Sequence, residues 1–265
     1  MDSSSNTARR EATSSKGGHV NFKFEGFCHV CQATATFAAS GFWFRDFLVC
    51  KVCGSIPRER AVVKTILDWY PKYTDLVIHE SSPAQRGASE FLRAHCVNYS
   101  SSQYLPSCEF GTTDATSGFR SENLEMLTFA DNTFDLFITQ DVMEHIFNPL
   151  KASKEIARVL KPGGAHIFSV PIMNKSLPTQ RWAALNADNS VDFIMPAEYH
   201  GNPVNEKGAL VTMHYGYDLA GVITQHTQCP TTIVQIDNIE LGIRAEYIEI
   251  LVMQKPLLEH PNVWS

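Results

Sequence analysis

The chain has 265 residues, of which 44% are hydrophobic and 19% charged, and it carries a formal net charge of -6. This length and composition suit one α/β domain with a small appendage, and the chain is too short for two full catalytic domains. The negative net charge, with no Lys/Arg block longer than a pair, argues against a nucleic acid as the main partner.

The first element in chain order is a polar segment, residues 1–18, rich in Ser, Thr and Gly. Its composition predicts a disordered tail. It lacks the apolar stretch of a secretory signal, and no run in the chain reaches the roughly 18 apolar residues that a membrane span needs. We therefore expect a cytoplasmic protein with no membrane association.

Two cysteine pairs follow, Cys28 with Cys31 and Cys50 with Cys53, in the spacing C-x2-C-x18-C-x2-C. This spacing is typical of four thiolates around one structural Zn²⁺. We predict a zinc ribbon over residues 19–56, with a β-hairpin formed by the aromatic-rich residues between the pairs. The alternatives are a redox CxxC unit or ordinary core cysteines.

An amphipathic helix is predicted after Pro57, which suits the first turn of a helix. Val62, Val63 and Ile66 share its apolar face. The polar side chains are expected on the opposite face: Arg58, Glu59, Lys64, Thr65 and Asp68. We expect this helix to dock the ribbon onto the next domain.

From about residue 74 the chain alternates short apolar strands with helical segments. This alternation predicts an α/β fold with a mostly parallel, Rossmann-like sheet and helices on both faces. The strands are predicted at residues 75–80, 95–101, 134–140 and 165–171, and the first helix at residues 84–95. A later helix presents Ser153 and Ile156 to the sheet, and residues 161–164, with sequence KPGG, are expected to end it.

The block from Leu127 to Pro171 resembles the signature of class I S-adenosylmethionine-dependent methyltransferases. An LTF triplet precedes an acidic turn, FD opens a strand, EH follows it, and RVLKPGG leads into the next strand. The chain is similar to the subgroup with an N-terminal zinc ribbon. The resemblance implies a methyltransferase domain over residues 57–265, a seven-stranded sheet closed by an antiparallel pair at residues 231–237 and 245–255, and S-adenosylmethionine as cofactor.

The resemblance also implies a set of cofactor contacts at the carboxyl ends of the strands, where ligands bind in this fold. The chain has no GxG after the first strand, so the loop there looks like a variant of the family's binding turn, or else is an ordinary solvated turn. The implied cofactor residues are Glu80, Ser81, Ser101, Ser102, Glu122, Asn123, Leu124, Gln140 and Asp141.

The long segment at about residues 172–228 is predicted to be a substrate-side insertion, because loops of this length are usually functional. We expect Arg181, Tyr199, Tyr215 and Tyr217 to contact substrate. His200, His214 and His145 are candidates for the catalytic base. The alternative is that these residues only pack a lid, and that Glu144 with His145 only fixes a loop.

The sequence thus favours an enzyme that methylates an O or N atom of a small molecule, alone or as a homodimer. One alternative is an RNA or protein methyltransferase that uses its ribbon for recognition. Another is a non-methylating protein that binds S-adenosylmethionine.

Overall fold

The computed structural model describes residues 21–202 and 205–257. The predicted tail, residues 1–18, lies outside the described residues. The N-terminal elements are β1 (Asn21–Cys28), β2 (Ala33–Ser40), α1 (Phe44–Phe47), β3 (Val49–Cys50) and α2 (Pro57–Trp69). The α/β body then contains β4 (Val77–Ser81), α3 (Gly87–His95), β5 (Asn98–Gln103), β6 (Arg120–Ser121), β7 (Phe134–Gln140), α4 (Pro149–Val159) and β8 (Leu160–Ser169).

The remaining elements follow the body in the chain. Six short strands come first: β9 (Gln180–Arg181), β10 (Ala183–Leu185), β11 (Val191–Phe193), β12 (Tyr199–Asn202), β13 (Asn205–Leu210) and β14 (Met213–His214). Helix α5 (Leu219–Thr227) and strands β15 (Thr231–Val234) and β16 (Ile250–Gln254) complete the described chain. No helix of the described part combines the length and the apolar character that crossing a membrane requires.

The centre of the molecule is a seven-stranded sheet with strand order β15-β16-β8-β7-β4-β5-β6. Five neighbouring strands, from β8 to β6, run parallel, whereas β16 is antiparallel to both β8 and β15. The chain starts the sheet at β4 and builds outward on both sides, so the strand order reverses between β4 and β7. This confirms the predicted Rossmann-like fold and its closing antiparallel pair. In such sheets ligands bind beyond the carboxyl ends of the strands at the switch in strand order, which lies here between β4 and β7, and we call this edge the crevice.

Two hydrophobic cores cover the two faces of this sheet. On one face, α2, α3 and the ribbon pack on sheet residues such as Ile78 and Ile138. On the other face, α4 and α5 pack on residues such as Phe137 and Leu251. The strands of a parallel sheet are buried on both faces, which explains why β7 reads as an almost continuous apolar run.

The ribbon is a three-stranded antiparallel sheet, but its main hairpin is not where the sequence predicted it. The hairpin joins β1 and β2 and turns through the first cysteine pair, since Cys28 pairs with Ala33. Strands β2 and β3 share only two residue pairs. Between them the short helix α1 interrupts the predicted hairpin, and its Arg45 side chain reaches Asp141 of the body.

Helix α2 is buried on more than its apolar face, which corrects the prediction of a solvated polar face. Glu59, Arg60 and Thr65 are all at most 2% exposed. The helix lies between the ribbon and the central sheet, so side chains on both of its sides become buried. The expected docking role of α2 agrees with this position.

Two further boundaries differ from the predictions. Strand β8 begins at Leu160, so the KPGG sequence lies inside an irregular strand, where Gly163 has a φ of +81° and its N–H donates to Lys255 O. The predicted insertion ends earlier than residue 228, because α5 packs on β15 and β16 as part of the body. The remaining insertion holds three short antiparallel strand pairs.

Candidate functional site

The two cysteine pairs converge at one end of the ribbon. The Sγ atoms of Cys28 and Cys53 lie 3.8 Å apart, and those of Cys31 and Cys50 lie 3.6 Å apart. All four sulfur atoms lie within 4.8 Å of one another. Four thiolates about 2.3 Å from a tetrahedral ion would be separated by about 3.8 Å, so the arrangement fits a closed structural site.

The thiol chemistry of this cluster also fits a cation. The hydrogen bond with Cys53 and burial raise the pKa of the Cys28 thiol to about 12. Burial and the neighbouring thiols likewise raise the pKa of Cys31 to about 12. Without a cation, four thiolates would repel one another here, whereas a bound metal ion favours the deprotonated form of each ligand.

Arg60 lies next to the cysteine cluster, and the sequence analysis did not predict a role for it. Its guanidinium is fully buried, lies 4.6 Å from the centre of the Phe37 ring, and donates to the carbonyls of Leu48, Ser55 and Gly242. Burial lowers its pKa to about 10, and the nearby cysteines oppose that shift. Arg60 therefore joins the ribbon to the C-terminal part of the body and places a positive charge beside the thiols.

The carboxyl ends of β4 and β7 are joined by a buried hydrogen-bond network around Glu80. Its carboxylate accepts hydrogen bonds from Ser89 Oγ at 2.8 Å, Tyr99 OH at 2.7 Å and Gln140 Nε2 at 2.9 Å. Burial raises the pKa of Glu80, while these three donors oppose the shift. The structure thus brings Glu80 and Gln140 together, and the Glu80 side chain is fully buried.

Gln140 leaves one buried acceptor unused at this junction. Its Nε2 group donates to Glu80, and among the described residues its Oε1 atom has no hydrogen-bond partner. Ser82, in the loop after β4, has a φ of +58°, a backbone conformation that usually favours glycine. An orphaned acceptor and a tightly turned loop at the strand-order switch fit a polar cofactor.

The serines predicted at the second strand divide between two environments. Ser102 is buried and its hydroxyl lies 2.9 Å from His79 Nε2, so it faces the sheet core. Ser101 is half-buried and pairs in register with Glu80. The predicted serine of the first strand, Ser81 at the end of β4, is 5% exposed and lies beside Thr139 of β7.

The residues predicted at the adenine end form a short turn after β6. The Glu122 carboxylate accepts hydrogen bonds from Arg120 Nε at 2.7 Å and from the Thr128 N–H at 3.0 Å, so its charge is already paired within the chain. Asn123 accepts from the Glu125 N–H through its side chain, and Leu124 is 4% exposed. The Glu122 carboxylate therefore stabilises the turn through its hydrogen bonds to Arg120 and Thr128.

Asp141, just past β7, contacts the ribbon instead of being open to solvent. Its Oδ2 atom lies 2.7 Å from Arg45 and 3.0 Å from Arg58, and Ser169 Oγ donates to Oδ1 at 2.9 Å. Burial opposes ionisation, yet the guanidinium groups of Arg58 and Arg45 hold the pKa of Asp141 below its usual value. Arg45 of the ribbon and Arg58 of α2 thus place two largely buried cations at the edge of the crevice, and the sequence analysis assigned neither of them to the site.

Two of the predicted histidines meet beside the turn that follows β7. The rings of His145 and His200 are 5.2 Å apart, and the ring nitrogens His145 Nε2 and His200 Nδ1 lie 3.8 Å and 3.9 Å from Glu144 Oε1. Glu144 is 1% exposed, and neither carboxylate oxygen has a hydrogen-bond partner among the described residues. Burial and the nearby Asp141 charge raise the pKa of Glu144 well above its usual value.

The third predicted histidine belongs to the same cluster through Glu198. The Glu198 carboxylate lies 2.9 Å from His214 Nε2 and 3.3 Å from His200 Nε2. The His214 ring stacks on Trp182 with ring centres 3.7 Å apart. The insertion therefore brings His200 to Glu144 and His145 of the body, and Glu198 links His214 to His200.

The four predicted substrate residues do not form one pocket. Tyr215 is 1% exposed and its hydroxyl donates to Met143 O, which leaves no surface for a substrate. Tyr217 bonds Glu249, and Arg181 donates to Phe147 O. Tyr199 is 52% exposed at the start of β12, next to His200.

Comparison with known proteins gives one domain match. A methyltransferase-domain family matches residues 84–168, from the loop after β4 to the penultimate residue of β8. The match therefore includes Gln140, Asp141, Glu144 and His145. It ends before the insertion that supplies His200.

Two curated relatives match short segments of the chain. The chain is 30% identical over 70 residues to a ubiquinone biosynthesis O-methyltransferase of Parvibaculum lavamentivorans, covering 26% of this chain and 27% of the relative. It is 52% identical over 42 residues to a ubiquinone/menaquinone biosynthesis C-methyltransferase of Hydrogenovibrio crunogenus, covering 16% of each chain. The match thus spans about a quarter or less of these relatives.

A solved structure with a similar arrangement is the S-adenosylmethionine-bound amino pentose methyltransferase of calicheamicin biosynthesis from Micromonospora echinaspora. Its TM-score is 0.48 at 10% identity, covering 74% of this chain and 89% of that chain.

Proposed function

We propose that this chain, which carries a class I methyltransferase domain, transfers a methyl group from S-adenosylmethionine to an O or N atom of a small molecule. The observation that carries the proposal is the junction of β4 and β7. There Gln140 bonds Glu80 across the strand-order switch and keeps a buried carbonyl oxygen without a partner among the described residues. The matched methyltransferase-domain family includes this junction.

The residues proposed to hold the cofactor lie along the carboxyl ends of β4, β5 and β7. Gln140 offers its free Oε1 acceptor, and Ser81 and Ser101 lie on the neighbouring strands. Asn123 and Leu124 are proposed for the adenine end. When bound, S-adenosylmethionine supplies an electrophilic methyl group on a sulfonium sulfur. Glu80 acts as a positioning residue, since its carboxylate is fully buried and orients Gln140.

A zinc ion in the cysteine cluster is part of the proposal and has a structural role. All four protein ligands of a tetrahedral ion are present, so no coordination position remains for a substrate. The ion would fix the ribbon and, through α1 and α2, the arginines that pair with Asp141. The zinc site would thereby shape the crevice without taking part in the reaction.

The acceptor would enter between the crevice and the insertion. His200 and His214 share the Glu198 carboxylate, which gives that side a set of groups able to take a proton from a hydroxyl or amine. The exposed Tyr199 lies beside them and is the proposed aromatic contact. The net charge of -6 supports a small acceptor over an RNA.

A methyl-transfer assay with fractionated cell extract tests the acceptor class. Zinc-loaded protein is incubated with methyl-tritiated cofactor and separate RNA, protein and small-metabolite pools. The proposal predicts label in the small-metabolite pool, and loss of that label when Gln140 is changed to Ala. Label confined to RNA or protein would favour the recognition alternative, and no label with intact cofactor binding would favour the non-methylating one.

A further inference from the structure

The Glu144, His145 and His200 cluster is the second group of metal-ligating side chains in the described part of the chain. Each of the three residues offers one ligand atom, and these atoms lie within 4.8 Å of one another. The cluster is separate from the cysteines of the ribbon. It combines a turn of the body with strand β12 of the insertion.

Glu144 is the unusual member of this cluster. A buried carboxylate normally accepts several hydrogen bonds, because leaving it unpaired is costly. Glu144 is 1% exposed, and both of its oxygens lack a hydrogen-bond donor among the described residues. One of them, Oε1, faces the two imidazole rings at 3.8 Å and 3.9 Å.

The histidine rings are oriented to leave lone pairs towards that oxygen. His145 Nδ1 lies 2.9 Å from Leu210 O, a carbonyl that only accepts hydrogen bonds, so Nδ1 carries the proton. In a neutral ring the other nitrogen, Nε2, then holds a lone pair, and this is the atom next to Glu144. A backbone carbonyl that fixes the tautomer in this way is typical of metal-ligating histidines.

Glu198 orients the His200 ring, as the Leu210 carbonyl orients the His145 ring. Its carboxylate lies 3.3 Å from His200 Nε2, which leaves Nδ1 facing Glu144. His214 holds the other Glu198 oxygen at 2.9 Å. The outer groups of the cluster thus orient both imidazole rings.

We infer that Glu144, His145 and His200 form a site for one divalent first-row transition-metal ion. Two imidazoles and one carboxylate suit such ions, and three protein ligands leave further coordination positions open. Bonds of about 2.1 Å around a tetrahedral ion separate ligand atoms by about 3.4 Å, so binding requires a small inward movement of the side chains. The metal ion would also satisfy the unpaired Glu144 carboxylate.

One consequence for substrate choice rests on the proposed function. An ion with open positions beside the crevice would bind an acceptor that presents an oxygen atom, which favours O- over N-methylation. With His145 and His200 acting as ligands, Glu198 and His214 remain as groups able to take the acceptor's proton.

Cobalt binding to zinc-loaded protein tests the site. Protein freed of loosely bound metal is dialysed against Co²⁺, and bound cobalt and the visible spectrum are recorded. We expect one Co²⁺ per chain, with the weak bands of nitrogen and oxygen ligation and without thiolate charge-transfer bands. Absence of bound cobalt, or cobalt found only with thiolate bands, would overturn the inference.

Substitutions identify the ligands. We expect Glu144→Gln and His200→Asn each to weaken Co²⁺ binding at least about tenfold, since loss of even an outer-shell partner costs about that much. His226→Asn, in α5, is the matched control and should bind as the wild type does. His200 lies in the insertion and is half-exposed, so its replacement leaves the sheet core intact. Unchanged cobalt affinity in both cluster variants would refute the assignment.

The result is independent of the proposed function. S-adenosylhomocysteine binding, measured on the same samples, reports the cofactor site alone. Cobalt binding without S-adenosylhomocysteine binding would support the metal site and contradict the proposed activity. S-adenosylhomocysteine binding without cobalt binding would contradict the metal site and leave the proposed activity supported.

Discussion

Several side chains of this protein hold polar groups in buried or half-buried positions, and each group either has a hydrogen-bonding or ionic partner in the chain or lacks one. Arg60, Glu80 and Asp141 are paired within the chain, whereas Gln140 and Glu144 keep buried acceptors free among the described residues. Because an unsatisfied buried polar group is costly, the second kind marks where a ligand would contribute most.

Because Gln140 keeps a buried acceptor without a partner among the described residues, its replacement should weaken cofactor binding. The Gln140→Ala variant loses both the donor to Glu80 and the free acceptor, so we expect S-adenosylhomocysteine to bind about tenfold more weakly, or about 1.4 kcal/mol. Calorimetric titration gives the dissociation constant. Gln225→Ala, exposed on α5, is the control, and equal affinities for the two variants would count against a cofactor contact at Gln140.

Because the Arg60 guanidinium is buried and paired, its replacement should lower the stability of the protein. Arg60→Met keeps much of the side-chain volume but leaves the buried carbonyls of Leu48 and Gly242 without their donor, whereas the Ser55 carbonyl keeps the Cys50 N–H. We expect the free energy of unfolding of zinc-loaded protein to fall by at least about 2 kcal/mol. Urea unfolding measures it, with the half-exposed Arg244→Met as control, which should change stability by less than about 0.5 kcal/mol. A similar small change in both variants would show that the Arg60 hydrogen bonds do not stabilise the contact between the ribbon and the body.

At the scale of elements, the central sheet buries two histidines in neutral form. The His79 ring bonds Ser100 and Ser102 and is surrounded by Phe129, Phe134 and Phe137. The His166 ring lies 2.9 Å from Thr139 Oγ1 and stacks on Phe168. Burial, together with Arg120 for His79, lowers the pKa of each histidine to about 3.

These histidines predict how stability depends on pH. Their folded pKa values lie below the ordinary value of about 6.5, so the unfolded chain binds more protons between about pH 6.5 and pH 3. Stability contributed by the neutral rings is therefore present above about pH 6.5 and is lost as the pH falls, by up to about 1.4 kcal/mol per pH unit for each histidine.

Urea unfolding as a function of pH checks this expectation. His166→Gln should reduce the slope of stability against pH by about the share of one histidine. Gln225→Ala, at an exposed residue of α5 that does not titrate, is the control and should leave the slope unchanged. An unaltered slope in His166→Gln would mean that His166 is not a buried neutral group.

The elements also show how far sequence reasoning extends. Strand β7 matches its predicted bounds, residues 134–140, because a short apolar run between turn residues leaves few alternatives. The cysteine cluster followed from spacing alone. The pairing of Arg45 with Asp141 could not be predicted, since 96 residues separate them and only the folded ribbon brings them together. Glu59 and Thr65 were predicted on the polar face for a similar reason, because the residues that bury them come from other elements.

At the scale of the whole molecule, the ribbon and the α/β body form one structure. Helix α2 shares a core with the sheet, Arg60 bonds Gly242, and Arg45 and Arg58 hold Asp141 at the end of β7. An ion in the ribbon would therefore affect the crevice through these contacts.

This coupling predicts that loss of the ribbon metal weakens cofactor binding. In Cys50→Ser we expect a lower midpoint of thermal unfolding and weaker S-adenosylhomocysteine binding, because α1 and α2 no longer hold their arginines against Asp141. Calorimetry and zinc analysis measure the two effects. Cys108→Ser, outside the cluster, is the control, and full cofactor affinity in zinc-free Cys50→Ser would show that the ribbon is energetically independent of the crevice.

We propose that the junction of β4 and β7 binds S-adenosylmethionine. Titration of zinc-loaded protein with S-adenosylhomocysteine in a calorimeter measures this binding. We expect saturable binding of one ligand per chain, weakened in Gln140→Ala. Absence of saturable binding to folded, zinc-loaded protein would contradict it.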